Sequence, residues 1–154
     1  MTREKTLVLF DFDGTITFKD SLPGFLQYMV GKPKYYKGLF FQSPVLMAYT
    51  LNLVSNHVAK EKFIGYFFKT WDVKRFKKLA THYSLQVMPK LINPDAMNRI
   101  NQHQKQGHHV VIVSATLECY LKPWCEENNI ALIGTRLDSC NELLSGEFAT
   151  KNCY

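Results

Sequence analysis

The segment Thr6-Leu7-Val8-Leu9-Phe10 runs through four consecutive apolar residues and stops at a carboxylate, Asp11, with the turn residue Gly14 close behind. A strand with one wet face alternates in polarity. A run without alternation predicts a strand covered on both faces, as in a parallel sheet. Val110-Val111-Ile112-Val113, ended by Ser114, repeats the pattern, and so does Ile130-Ala131-Leu132-Ile133, ended by Gly134. Helical spacing fills the intervals between the later runs. Asn93-Pro94-Asp95 reads as an N-cap, a proline at the first helical position and an acid in the first turn. Met97, Ile100 and His103 form its inward stripe, and Gly107 stops the helix. Thr116 to Asn128 places Leu117, Tyr120, Leu121, Trp124 and Cys125 on an apolar side, with Pro123 predicting a kink or a late start. From Pro94 onward the order is helix, strand, helix, strand, which is that of an α/β sheet with crossover helices.

Residues 19–89 read differently. They hold most of the aromatic residues and no strand-like run. Asp72 reads as the N-cap of a helix that buries Val73, Phe76, Leu79, Ala80 and Tyr83, and further helices are expected at 21–30, 45–55 and 59–70. The organisation expected is therefore residues 1–18 as the first part of an α/β core, 19–89 as an inserted helical block, and 90–154 as the second part of the core. Leu39 to Val54 is mostly apolar, but Gln42, Ser43, Pro44, Thr50 and Asn52 interrupt it, and it is too short to span a bilayer. A buried helix is expected there, with Phe25, Tyr28, Tyr35, Tyr36, Phe40 and Phe41 serving as core or lining an apolar pocket.

Hydrophobic residues make up 46% and charged residues 21% of the 154, a globular balance that argues against disorder. The net charge of +6 suits an anionic partner, yet the densest cluster, Lys74, Arg75, Lys77 and Lys78, is interleaved with apolar positions as on a solvated helix face. Neither a nucleic acid nor a membrane is therefore expected as a partner. Salt-sensitive binding to DNA or anionic vesicles is what such a surface module would show instead. Cys119, Cys125, Cys140 and Cys153 lack zinc-ligand spacing, and no apolar leader follows Met1. Reduced thiols and a cytoplasmic location are expected.

Asp11-Phe12-Asp13-Gly14-Thr15 lies at the carboxyl end of the first strand, the edge at which open α/β sheets place ligands. Carboxylates at i and i+2 leave a strand on one side, so Asp11 and Asp13 can converge on one substrate. Gly14 lets the chain turn and brings N–H groups toward an anion, and Thr15 adds a hydroxyl. Two neighbouring carboxylates repel, and a hard divalent cation or a shared proton relieves this. One carboxylate can then attack phosphorus while the other handles protons. The plainer alternative is an Asp-rich turn that caps its own amides.

Asp-Phe-Asp-Gly-Thr after an apolar strand resembles the first motif of the haloacid dehalogenase-like phosphatases. Gly107 to Thr116, with Ser114 closing a strand, resembles their second motif. Leu121 to Cys125, Ser145-Gly146-Glu147-Phe148 and Asn152-Cys153-Tyr154 resemble the branch that includes phosphoserine phosphatase. The resemblance implies a doubly wound parallel sheet of the Rossmannoid type, truncated here, with an all-helical cap inserted over the site. It implies a magnesium-dependent phosphomonoester hydrolase working through an aspartyl-phosphate on a small phosphorylated substrate. Asp11 would be the nucleophile and a Mg2+ ligand. Asp13 would be the general acid/base and lend its carbonyl to the metal. Gly14, Thr15, Ser114 and Ala115 would bind the phosphoryl group, and Ser114 could equally cap a helix. Asp20 matches an acid that meets the substrate's amino group in phosphoserine phosphatases, and equally the cap of a first helix. The family pattern continues beyond these residues to a phosphate-neutralising lysine and a Gly-Asp motif, and Lys151 precedes the matching stretch. A fragment of a longer enzyme is therefore expected, with an apolar first strand left as an edge that a dimer could cover. A catalytically impaired, phosphate-binding remnant is the alternative.

Overall fold

The computed structural model describes residues 6–150. Lys151, Cys153 and the Asn152–Tyr154 stretch lie outside the described residues. The three apolar runs become β1 (Leu7–Phe10), β2 (His109–Leu117) and β3 (Ala131–Thr135), joined in a parallel sheet of order β1-β2-β3. Before β2 stand α1 (Leu22–Val30), α2 (Lys32–Thr50), α3 (Asn56–Phe68), α4 (Val73–His82) and α5 (Pro94–Lys105), and α6 (Glu118–Glu127) links β2 to β3. The chain is thus α/β with a parallel sheet, as read from the runs.

The caps fall where the sequence put them. Asp72 accepts a hydrogen bond from the Arg75 N–H at 2.7 Å to open α4, and Asn93 accepts one from the Asp95 N–H at 3.0 Å to open α5. Gly107 closes the α5 end at φ +77°, a conformation that only glycine adopts without strain. A π-helical turn (Tyr83–Val87) and a 3-10 turn (Met88–Leu91) carry the chain from α4 back to the sheet. There Thr17 and Ile92 form an antiparallel bridge, and the Phe18 N–H donates to the Leu91 carbonyl at 3.1 Å. The outgoing and returning segments of the helical block therefore run side by side beneath the site.

Several expectations need correction. The helix expected at 45–55 begins at Lys32 and ends at Thr50, with Pro44 inside it. Proline cannot bond the carbonyl four residues back. That carbonyl, of Phe40, instead accepts from the Ser43 hydroxyl at 2.7 Å, so the helix survives the proline. Nor is this helix buried: Phe40, Phe41, Met47, Leu51 and Leu53 are exposed, while Tyr35 and Gly38 face inward. β2 does not end at Ser114. Its pairing with β3 slips after Val113, four residues of β2 being spent against two of β3 (Ile133 to Thr135), and it continues to Leu117. Consequently α6 starts at Glu118, and Ser114 is no N-cap. Pro123 lies within α6, and the next N–H, that of Trp124, donates to the Ser84 hydroxyl at 3.1 Å.

β1 is not covered on both faces. α5 and α6 pack on the face that carries Phe10, Val110 and Ile112: His103 of α5 lies edge-on to Phe10, and Trp124 of α6 edge-on to Phe12. The other face leaves Leu7, Leu9 and Ile133 exposed. A hairpin that the sequence reading missed, β4 (Leu137–Cys140) and β5 (Leu143–Phe148), turns at Asn141 and Glu142, both at positive φ. It fastens the helical block to the sheet. The Thr70 N–H donates to the Leu144 carbonyl and the Leu144 N–H to the Trp71 carbonyl, both at 2.9 Å, and Glu61 accepts from the Phe148 N–H at 2.8 Å. Gly65 of α3 passes so close to Gly146 that a Cβ on it would stand 2.6 Å from the Gly146 carbonyl oxygen.

The core is aromatic and continuous between block and sheet. Phe25 of α1 stacks on Tyr120 of α6 at 4.3 Å between centroids and meets Tyr83 edge-on at 5.3 Å. Phe67, Phe68 and Phe76 extend it beneath α2 and α3. Burial of each such ring removes about 150–250 Å2 of surface from water, so the block and the core share their main stabilising contacts.

A candidate active site at the end of strand one

Asp11-Phe12-Asp13 leaves the end of β1 and enters a tight turn. Phe12 is fully buried against Trp124, whereas Asp11 is exposed and Asp13, in the turn that follows, is half-buried. The loop then winds tightly. The Phe12 carbonyl accepts from the N–H groups of Ile16 and Thr17 at 2.9 and 3.0 Å, and Gly14 sits at φ +75°. The Gly14 N–H donates to the Thr17 hydroxyl at 3.3 Å, while Gly14 and Thr15 are exposed beside Asp11. Phe10 pairs with Ile112, which sets Asp11 level with Val113, one residue before Ser114 and two before Ala115. Asp11, Asp13, Gly14, Thr15, Ser114 and Ala115 thus share one end of the sheet.

The two acids live in different surroundings. Asp11 accepts from the Phe12 N–H at 2.7 Å through one oxygen and is otherwise open. Asp13 accepts from the Ser21 N–H at 2.8 Å and has hydrogen-bonding contact with the hydroxyls of Ser21 and Thr116. Burial raises the Asp13 pKa above the usual carboxylate value, the Ser21 bonds oppose the rise, and the nearby Asp20 charge adds to it. Asp20 itself accepts from the Leu22 N–H at 2.9 Å in a turn just ahead of α1, whose N-cap is Ser21, so the expected capping role does not fall to Asp20.

Behind Asp13 lies a buried polar cluster that the sequence reading missed. The Tyr120 hydroxyl is 2.9 Å from the Ser21 hydroxyl and 2.6 Å from that of Thr116, and the Tyr83 hydroxyl donates to the Ser21 carbonyl at 3.2 Å. Desolvation holds the Tyr120 phenol well above its ordinary pKa and pushes that of Tyr83 up to about 12, with Asp13 reinforcing both. Both phenols stay neutral hydrogen-bonding groups at any working pH. Ser114 is buried, and its hydroxyl accepts from the Thr116 N–H at 3.2 Å, holding the end of β2 in its irregular course. From α3, Lys60 reaches over to donate to the Ala115 carbonyl, which also accepts from the Thr135 hydroxyl at 2.9 Å. A cation from the helical block therefore meets the second motif, another contact missing from the sequence reading.

Magnesium asks for oxygen ligands and commonly takes one or two carboxylates, with waters and substrate phosphate completing its shell. The exposed carboxylate of Asp11 meets that demand. Asp13 has one carboxyl oxygen bonded to the Ser21 N–H, and the family resemblance implies that it would lend its backbone carbonyl to the metal. No group of three or more His, Cys, Asp or Glu capable of holding a metal occurs among the described residues. A cleft of about 390 Å3 between α4, α6 and β4, lined by Phe76, Lys122 and Arg136 among others, contains neither Asp11 nor Asp13.

Comparison with known proteins gives the family and the fold. The model of the haloacid dehalogenase-like hydrolases matches residues 8–154. Protein CicA of Caulobacter vibrioides is 33% identical over 138 residues, which is 89% of this chain and 61% of that protein. The chain therefore spans about three fifths of the curated relative it matches. Among solved structures, a protein of unknown function from Bordetella pertussis superposes with a TM-score of 0.77 at 17% identity, covering 96% of this chain and 68% of that one. A phosphoserine phosphatase solved as a phospho-aspartyl intermediate analogue superposes with a TM-score of 0.60 at 16% identity, covering 97% of this chain and 64% of that one. At such identities these structures speak for the fold.

Proposed function

The chain belongs to the haloacid dehalogenase-like hydrolases, and on that premise we propose that it is the catalytic part of a phosphomonoester hydrolase acting through Asp11 and Asp13. The observation that carries this reading is the split environment of two acids one residue apart. The exposed Asp11 accepts from the Phe12 N–H through one oxygen, which leaves the other to serve as a nucleophile. Asp13, raised by burial, holds a proton more readily and suits the acid's part.

In the first step the Asp11 carboxylate attacks phosphorus, the ester P–O bond breaks, and Asp13 passes its proton to the departing oxygen. In the second, water attacks the aspartyl-phosphate, Asp13 takes the water's proton, and inorganic phosphate leaves with the Asp11 carboxylate restored. Ser114 and the N–H groups of the Gly14–Thr15 turn would bind the non-transferring oxygens, with Ala115 beside them. Lys60 would lend positive charge from the helical block. Magnesium, held by the Asp11 carboxylate and the Asp13 carbonyl, would supply charge neutralisation for the phosphoryl group. The helical block, residues 19–89, would act as a cap over the site, its division from the core falling beside the Thr17–Ile92 bridge. The substrate class is a small phosphomonoester, phosphoserine-like by family resemblance, and the setting is cytoplasmic.

Hydrolysis of a generic aryl phosphate with magnesium, in the chain and in Asp11→Asn, tests the reading. Turnover that falls at least about a thousandfold in the variant is expected, as for loss of an enzymic nucleophile. A second reading, a phosphate-binding remnant, draws on the lack of a third metal-ligating acid among the described residues. Binding of phosphate without turnover in either protein would select it.

A further inference from the structure

Residues 21–60 contain no aspartate or glutamate: the chain passes from Asp20 to Glu61 with only lysines as charged residues. Within that interval α2 shows an inverted surface. Its inward side is given by Tyr35 and Gly38, the latter so close to α3 that a Cβ would meet the Phe67 ring at 2.2 Å. Its outward side should then be polar, yet Tyr36, Phe40, Met47 and Leu51 recur there every four or seven residues at 59, 75, 64 and 63% exposure. Phe41 lies alongside, under the ammonium of Lys37 at 5.8 Å, and Leu53 extends the patch past the helix end. Lys32, Lys34 and Lys37 are exposed at the first turns of the same helix.

We propose that this outward face of α2 is a docking surface for a lipid bilayer with anionic headgroups. Scattered apolar residues on a surface need no explanation, but a stripe along a helix about 28 Å long does. Aromatic and aliphatic side chains on one face with lysines beside them are the composition of a helix that lies in the headgroup region. The helix cannot cross: none among the described residues is long and apolar enough to do so. A second copy is the competing occupant, and charge argues against it. An isologous contact through α2 would set the lysines of two copies against each other along a helix that carries no acid of its own, whereas anionic headgroups supply the opposite charge. The expectation that no membrane is a partner rested on the lysines being solvated; it did not foresee exposed rings beside them. The inference stands apart from the phosphatase reading, because its readout needs no turnover.

Sedimentation of the chain with phosphatidylcholine vesicles, and with vesicles about one third phosphatidylglycerol, provides the test. Binding to the anionic vesicles should be tighter by about tenfold or more and weaken with salt. Phe40→Ser with Met47→Ser and Leu51→Ser should lower it by a similar factor, and so should Lys32→Gln with Lys34→Gln and Lys37→Gln. All six side chains are exposed, so circular dichroism should match the parent. A Phe40→Trp variant gives an independent reading, since its added emission should shift to shorter wavelength with anionic vesicles. No binding to either vesicle, binding that survives the serine changes, or vesicle-free dimerisation abolished by those same changes would overturn the proposal, the last outcome assigning the stripe to a second copy.

Discussion

Burial of Asp13 makes its charge a cost to the fold, and the sign follows from linkage. The folded pKa lies above the ordinary 3.8, so between those values the native state binds more protons than the unfolded chain. Stability therefore falls as pH rises through that window, and the full penalty stands above it. Asp13→Asn keeps an acceptor for the Ser21 N–H and removes the charge. It should abolish turnover while raising the melting temperature at pH 7, by about 2–4 °C for each kcal/mol relieved. Melts repeated toward pH 4 should bring variant and parent together; a variant less stable than the parent at neutral pH would show that the hydrogen bonds outweigh desolvation. At this scale the sequence disclosed the residues contiguous with a strand end, Asp11 to Thr15 and Ser114, because strand termination and acid spacing are local. Ser21, Tyr83, Thr116 and Tyr120 escaped notice because three distant stretches of chain must fold together before their hydroxyls meet. Lys60 escaped for the same reason, being one lysine among many until α3 packs.

Elements with strong local signals were legible: three apolar runs became three strands, and Asp72 and Asn93 cap the helices they were expected to cap. The β4–β5 hairpin was not, because its turn is Asn141-Glu142, without the glycine that usually marks two positive φ angles. That turn allows two opposite predictions in one unit. Glu142 at φ +64° bears a backbone strain of about 1–2 kcal/mol, against which its ion pair with Lys74 at 3.1 Å, highly exposed on both sides, returns at most about 1 kcal/mol. Glycine's unfolded-state entropy takes back part of the gain. Glu142→Gly should therefore be neutral to stabilising, within about 1 kcal/mol. Gly65→Ala drives a Cβ against a backbone oxygen of the same hairpin and should cost about 1–3 kcal/mol. Urea unfolding of the two variants reads both. A stabilised Gly65→Ala would mean that α3 and β5 can separate freely, and with them the block from the sheet.

At the scale of the whole molecule the sheet itself is unbalanced. Helices α5 and α6 lie side by side on one face, joined at their ends by the Gln104 amide, which donates to the Asn128 carbonyl at 2.8 Å. The opposite face presents Leu7, Leu9 and Ile133 at 58, 59 and 53% exposure, and among the described residues β1 is an edge strand with a row of unshared backbone groups. The apolar runs were read as covered on both sides because composition reports what a strand is suited to, not what is present to cover it. A buried leucine is worth about 1.5–3 kcal/mol relative to an exposed one, so this face is poised to gain by association. The described chain should self-associate with rising concentration, and Leu9→Lys should return it to a monomer. Because Leu9 contributes little while uncovered, its melting temperature at low concentration should change by less than about 2 °C. Sedimentation velocity and thermal melts distinguish the cases. Retained association in Leu9→Lys would place the contact elsewhere, and a large loss of stability at low concentration would mean that the chain covers this face itself. Only a stable monomer identifies the bare sheet as the surface that a further layer, from a longer protein or from a partner, is built to fill.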